Sequence, residues 1–116
     1  ADVVELLSPE LMLPQVGQGA LAVECRSDDA DTAALLAAID DSPTRTIVEA
    51  ERDFLKELGG DCELPAGAHA RFADDQINVV GLLADEEGRV HRASVSGSID
   101  DRPGRAVAQR LSSRLG

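Results

Sequence analysis

Short strand-like stretches in the second half of the chain limit its fold more than any other feature of the sequence. They are residues 68–73, 76–84 and 89–96. Asp74 and Asp75 form the first connection, and residues 85–88 form the second. Acidic and glycine-containing connections of this length are typical of β-hairpins. We therefore predict a three-stranded antiparallel meander.

A helical pattern precedes the strands. It begins at Ser42, whose hydroxyl can cap free backbone amides, has Pro43 at its first helical position, and ends at Gly59 and Gly60. The apolar stripe of this helix comprises Ile47, Val48, Phe54, Leu55 and Leu58.

A last helix is predicted over residues 103–115, with Val107 and Leu111 directed inward. The order helix, three strands, helix predicts an α+β fold in which both helices pack on one face of a small sheet.

The first part of the chain has weaker patterns. Residues 16–20, VGQGA, predict a turn or hinge, and residues 21–25 alternate like a strand with Cys25 facing inward. A helix is predicted over residues 31–39, capped by Ser27 and the acidic residues that follow it. An isolated strand cannot be stable, so we expect its pairing partners to belong to polypeptide outside this chain.

The chain is acidic, with 22 Asp and Glu against 11 Lys and Arg and a formal net charge of −11 at pH 7. This charge repels a phosphate backbone or an anionic membrane surface. Two Phe and no Trp or Tyr leave few rings for stacking on nucleic acid. No apolar run approaches ~20 residues, and the N-terminus lacks a secretion signal. We expect a cytoplasmic protein without nucleic acid or membrane partners.

The cysteines and histidines do not have the spacing of a metal site. Cys25 and Cys62 are far apart in sequence, and His69 and His91 show no ligand spacing with them. Neither histidine has a partner in sequence, so we predict that both are ordinary sheet-surface residues and assign them no role. A disulfide is disfavoured in a reducing cytoplasm, and without a CxxC pair a thiol redox protein is the weakest interpretation.

The most informative motif is GGDCELPAG at residues 59–67, which places Cys62 just beyond a helix end, between paired glycines and a proline. The motif predicts a thiol displayed on a loop. A structural or incidental cysteine is the alternative, because cysteine often serves as a small buried hydrophobe.

Two segments carry a family resemblance. VGQGALAVECR at residues 16–26 and TIVEAERDFLKELGGDCELPAG at residues 46–67 resemble, in order and spacing, the C-terminal signature of hydroxymethylbilane synthases, also called porphobilinogen deaminases. These transferases of tetrapyrrole (heme) biosynthesis join four porphobilinogen molecules head to tail with loss of ammonia. The resemblance implies that Cys62 carries a dipyrromethane cofactor through a thioether, and that Gln18, Gly19 and Ala20 approach the cofactor and the growing oligopyrrole.

The resemblance also implies a domain division. Residues 1–41 would comprise the end of a second domain and the return to a first, and residues 42–116 a C-terminal cofactor-attachment domain. The carboxylate-binding arginines and the catalytic aspartate of the family would lie in preceding domains, so no catalytic residue is assigned here and the chain alone is expected to be inactive and free of cofactor. We expect residues before about Asp40 to be disordered, self-associated or packed on the C-terminal domain.

One departure from the family pattern surrounds the proposed attachment site. Asp61 stands where a glycine usually precedes the cysteine, and Glu63 follows. Both carboxylates disfavour the thiolate that would attack the cofactor precursor. A non-catalytic acidic interaction domain with an incidental cysteine is the alternative function.

Overall fold

A computed structural model describes residues 2, 4–59 and 64–115 of the chain. These residues form an α+β fold with an antiparallel sheet of order β1-β2-β3, as the strand and helix patterns predicted. The elements are α1 (Ala30–Ile39), α2 (Ser42–Leu58), β1 (Ala66–Ala73), β2 (Gln76–Ala84), β3 (Val90–Gly97), a short 3-10 helix (Ile99–Asp101) and α3 (Pro103–Leu115).

Alternate residues of the central strand β2 build the core. Ile77, Val79 and Leu83 are buried beneath the helices, whereas the intervening residues face the other side of the sheet. Phe54 of α2 and Val107 of α3 are completely buried against this face. Both helices therefore cover one face of the sheet, as expected.

The two long helices approach each other closely at the start of α3. Pro103 and Gly104 are buried there. A Cβ atom placed on Gly104 would lie 1.9 Å from the carbonyl oxygen of Ala50. Only glycine permits this approach of one helix backbone to the other.

Side chains from α3 cover the outer edge of β3. Arg110 donates a hydrogen bond from Nη1 to the carbonyl oxygen of Ser94 at 3.3 Å, and Arg114 donates one to the carbonyl of Arg92. Carbonyl groups at the edge of a sheet otherwise offer pairing sites to another strand. The helix that covers the sheet thus also protects one of its edges.

Some local predictions were wrong. Asp41, not Ser42, caps α2, because its carboxylate accepts the Thr44 N–H at 3.1 Å. Leu55, assigned to the apolar stripe, is 43% exposed. For α1 the prediction was right in part: Asp29, one of the acidic residues expected to cap the helix together with Ser27, caps it through the Thr32 N–H at 3.0 Å. In both helices a carboxylate lies at the position where it can reach an N–H of the first turn.

The described residues before Ser42 contribute little to the core. Residues 21–25, predicted as a strand, have no regular secondary structure, and Cys25, predicted to pack inside, is exposed. Helix α1 has no buried residue. Large apolar side chains that remain exposed include Val4, Leu6, Leu11, Met12, Leu21, Val23, Leu35 and Ile39. Residues 21–25 pair with no strand within the described ranges, which is why they do not become one.

The turn between β2 and β3 is organised by the carboxylate of Asp85. It accepts the backbone N–H of Glu87 at 3.0 Å and that of Arg89 at 2.8 Å, and Nε2 of His91 lies 3.2 Å away. Desolvation, which raises the pKa of Asp85, is outweighed by hydrogen bonds from Arg89 and His91, and the pKa falls to about 2. His91, predicted as an ordinary sheet-surface residue, is partly buried beside this carboxylate.

Replacement of Gly104 tests the close helix contact. In an open helix, Gly→Ala stabilises by roughly 0.5–1 kcal/mol. Here the new methyl group overlaps the Ala50 carbonyl, so Gly104→Ala should lower the free energy of unfolding by about 1–3 kcal/mol. Urea denaturation measures the change. Ser112→Ala, at an exposed position of the same helix, is the control and should stay within about 0.5 kcal/mol of the parent chain; a stabilising Gly104→Ala would contradict the packing.

The low pKa of Asp85 predicts a loss of stability in acid. Its pKa is 3.8 in the unfolded reference and about 2 in the fold, so its contribution is complete above about pH 4 and is lost as the pH falls towards 2. Asp85→Asn should therefore flatten this part of the pH dependence. Urea unfolding at about pH 6, 4 and 2.5 measures it. The exposed carboxylate variant Asp100→Asn should keep the parent profile, and equal slopes for all three proteins would refute the role of Asp85.

Candidate functional site

A buried carboxylate joins the VGQGA segment to the sheet. Glu51 lies on the covered face of α2, and its side chain is only 7% exposed. Its Oε1 atom accepts the backbone N–H of Gly17 at 2.7 Å, and its Oε2 atom accepts that of Ala70 at 2.8 Å. Because β1 is an edge strand, Glu51 satisfies an N–H group that has no strand partner. One side chain thus connects α2, β1 and the segment before Gln18.

His69 of β1 approaches this carboxylate. Its Nδ1 atom lies 3.9 Å from Oε2 of Glu51, and its side chain is 33% exposed. His69, predicted as an ordinary sheet-surface residue, is thus partly exposed on β1 and lies beside this carboxylate. Both oxygens of Glu51 accept backbone N–H groups, so this carboxylate holds two backbone segments in place.

The turn at residues 16–19 presents Gln18 to solvent. Gly17 and Gly19 have φ angles of +74° and +88°, which residues with a side chain rarely adopt. The Ala20 N–H donates to the carbonyl of Gly17 at 3.1 Å, and Oε1 of Gln18 accepts the Gln15 N–H at 3.2 Å. Gln18, Gly19 and Ala20 are all exposed. The turn is held by its own hydrogen bonds and by Glu51, while its tip remains accessible.

The chain before this turn lies directly against β1. A Cβ atom on Gly67 would be 2.9 Å from the carbonyl oxygen of Pro14. Val16 is partly buried and packs against the core. Residues 14–17 therefore run alongside residues 67–70 in the same direction. Pro14 lies against Gly67 at one end, and Gly17 is linked to Ala70 through Glu51 at the other.

Cys62, the predicted attachment residue, lies outside the described residues, as do Asp61 and Glu63. The elements on either side of it are described. Gly59 caps the end of α2, and its N–H donates to the carbonyl of Lys56 at 3.1 Å. Leu64 is partly buried against the core, and β1 begins at Ala66. The described residues on both sides of Cys62 in sequence thus belong to the folded domain.

Other features of the described residues do not form a second site. Residues 2, 4–59 and 64–115 contain no group of three or more His, Cys, Asp or Glu side chains arranged to hold a metal ion. None of the helices in those ranges combines the length and apolar character of a membrane span. An open groove of about 590 Å³ beside α2 and the 3-10 helix includes Arg52, Lys56 and Arg102, but shares no residue with the Gln18 turn or β1.

Glu51 was not among the residues predicted from the sequence. The sequence does contain one local indication of its burial. Glu51 lies three residues before Phe54 and four after Ile47, and both of these belong to the predicted apolar stripe. A charged residue within an apolar stripe indicates a buried polar contact. The identity of that contact depends on residues 17 and 70, which no helical pattern connects to it.

Comparisons with known proteins show two family matches. A family model described as porphobilinogen deaminase, C-terminal domain, matches residues 45–115. Another, described as porphobilinogen deaminase, dipyromethane cofactor binding domain, matches residues 1–34. The first match includes Cys62, and the second includes Gln18, Gly19, Ala20 and Cys25.

Curated relatives carry the same description. A porphobilinogen deaminase from Macrococcus caseolyticus is 47% identical over 87 residues, covering 75% of this chain and 28% of the relative. The protein of that name from Chromobacterium violaceum is 48% identical over 108 residues, covering 90% and 35%. The one from Bacillus pumilus is 41% identical over 114 residues, covering 97% and 37%. The chain thus spans about a third of the length of these relatives.

Replacement of Glu51 should weaken the fold. In Glu51→Gln one amide oxygen can still accept an N–H, but the amide nitrogen faces the other donor, so one backbone group loses its partner. We expect the free energy of unfolding to fall by about 2 kcal/mol, with faster amide hydrogen exchange at Gly17 or Ala70. Urea denaturation and NMR exchange measure these effects. Glu49→Gln, which removes an exposed ion-pair partner of Arg45 on the same helix, should change stability by less than about 0.5 kcal/mol. Equal effects of the two variants would contradict the role of Glu51.

Proposed function

Because this chain belongs to the porphobilinogen deaminase family, we propose that it forms the C-terminal part of an enzyme that joins four porphobilinogen molecules into hydroxymethylbilane with release of ammonia. In this proposal Cys62 carries the dipyrromethane cofactor through a thioether. The observation that carries it is the C-terminal domain match over residues 45–115, which includes the GGDCELPAG motif.

The attachment needs a thiol, and the chain offers Cys25 and Cys62. Cys25 follows a segment without regular structure and is exposed. The loop of Cys62, in contrast, is anchored by Leu64 and by the capped end of α2. A defined anchor supports a reaction that must extend one bound oligopyrrole repeatedly in the same cleft. This favours Cys62, although the family model named for cofactor binding matches the segment with Cys25.

The cofactor, when bound, supplies the terminal pyrrole to which the first substrate molecule is joined. In this proposal Cys62 anchors it, and Gln18, Gly19 and Ala20 form an exposed turn that the oligopyrrole can approach. None of these groups is a general acid, so we assign no catalytic residue to the chain.

The negative charge of the chain requires that cationic side chains for the substrate come from further domains. The pyrroles of this family carry acetate and propionate groups, and a chain with a formal net charge of −11 does not attract them. We propose that further domains of the enzyme provide the cationic side chains and the acid for proton transfer, and that residues 1–41 belong to the boundary with those domains. The exposed apolar residues before Ser42, such as Leu21 at 97% exposure, support a covering partner of this kind.

The surroundings of Cys62 in sequence do not promote its reactivity. Asp61 and Glu63 flank it, and the helix end nearest to it in sequence is the C-terminus of α2, which carries partial negative charge. All three disfavour the thiolate. A cation from the further domains would offset them, and the reducing cytoplasm, our proposed compartment, keeps the thiol free of disulfides.

Replacement of each cysteine in the full-length enzyme tests the attachment site. Cys62→Ser should lose the covalently bound dipyrromethane and give no colour with a pyrrole reagent after denaturation, because serine cannot form the thioether. Intact mass spectrometry measures the loss directly. Cys25→Ser is the matched control and should keep both signals. Pyrrole that stays covalently bound to Cys62→Ser, or is lost only from Cys25→Ser, would refute the assignment.

A further inference from the structure

Glu51 connects the elements that surround the proposed attachment site in sequence. It lies eleven residues before Cys62, on the helix that leads into the loop, and its partner Ala70 lies eight residues after Cys62, on the strand that leaves it. Its other partner, Gly17, directly precedes Gln18. A single carboxylate therefore sets the position of the Gln18 turn relative to both sides of the Cys62 loop.

A second contact, independent of Glu51, constrains residues 14–17. The carbonyl of Pro14 lies so close to Gly67 that a Cβ there would approach it to 2.9 Å. Gly67 is buried, and it precedes Ala70 by three residues, as Pro14 precedes Gly17. The contact at Gly67 and the link through Glu51 to Ala70 lie three residues apart on β1. Together they fix where residues 14–17 lie beside β1 and in which direction they run.

A carboxylate is the side chain that suits this arrangement. Two backbone N–H groups from different segments converge on its two oxygens, and each requires an acceptor. Glutamine has one acceptor oxygen and two amide donors, and would leave one N–H facing another N–H group. Burial strengthens both charge-assisted bonds, because water does not compete for the donors.

From this geometry, and resting on the proposed function, we propose that Glu51 is a positioning residue for chain elongation. It holds the turn of Gln18, Gly19 and Ala20 at a fixed position relative to α2 and β1, the elements that precede and follow Cys62 in sequence, so that the turn can meet the oligopyrrole bound to Cys62. We expect loss of the link to leave the thioether intact, because that bond is made by Cys62 and not by Glu51 or the turn, but to displace the turn. A displacement of about 1 Å in such a contact reduces turnover by up to about a hundredfold.

The test uses the full-length enzyme with Glu51→Gln and Gly67→Ala. The first removes one acceptor, and the second pushes the Pro14 carbonyl away without changing Glu51, which keeps the test informative if one variant does not fold. Glu49→Gln is the matched charge control on the same helix. Val107→Ala, in the completely buried core, is the control for destabilisation alone. Assays are performed well below the melting temperature of each variant.

Three measurements are compared. Intact mass reports the pyrrole on Cys62, steady-state kinetics separate kcat from KM for porphobilinogen, and amide exchange reports the freedom of Gly17. We expect Glu51→Gln and Gly67→Ala to retain the covalent pyrrole, to lower kcat about tenfold or more with KM within about twofold, and to increase exchange at Gly17. Both controls should keep the parent kcat.

The outcomes distinguish this inference from the proposed function. A parent enzyme with pyrrole on Cys62 and unchanged kcat in both test variants would overturn the positioning role and leave the attachment site standing. An equal loss of kcat in Val107→Ala would also overturn it, since destabilisation alone would then explain the effect. A parent enzyme without pyrrole on Cys62 would overturn the proposed function, and with it the role inferred for Glu51 in elongation.

Discussion

The open edge of β1 is the constraint on which the described structure depends. A small sheet exposes two edges, and each backbone group there needs a partner. At the β3 edge, Arg110 and Arg114 of α3 donate to carbonyl oxygens. At the β1 edge, Glu51 of α2 accepts an N–H group, and its second oxygen binds Gly17. The helices that bury the apolar face therefore also protect the edges, with cations on one side and a carboxylate on the other.

Use of Glu51 at the β1 edge costs free energy, because its carboxylate loses contact with water when α2 packs on the sheet. The ion pairs of the described residues bring only His69 near Glu51, at 3.9 Å, so the stabilisation comes from the two backbone donors. An apolar residue at this position would fill the space but would leave two N–H groups unpaired. The arrangement is understandable if residue 51 must connect separate segments as well as stabilise a helix. In our proposal Glu51 serves to position the Gln18 turn and takes no part in the chemistry.

In the proposed function, the acidic chain would contribute a thiol and an exposed glycine turn, and further domains would supply the cationic side chains that bind a polycarboxylate product. The described part of residues 42–115 holds the buried core, whereas many apolar residues before Ser42 remain exposed. A covering domain would account for those exposed residues. The strand predicted over residues 21–25 did not form, because a strand requires a partner for its backbone groups.

Local patterns in the sequence determined the three strands to within two residues and the helices from Ser42 onwards almost exactly at their ends, because hydrophobic period, turn residues and caps act between near neighbours. The GGDCELPAG motif predicts Cys62 as the attachment residue, and this stays a prediction. Only the tertiary structure decided that Cys25 is exposed and that Glu51 binds Gly17 and Ala70, which lie 34 and 19 residues away. Those contacts arise when the helix, the edge strand and the glycine turn meet in space, and no periodicity along the chain encodes which backbone groups a buried carboxylate will face.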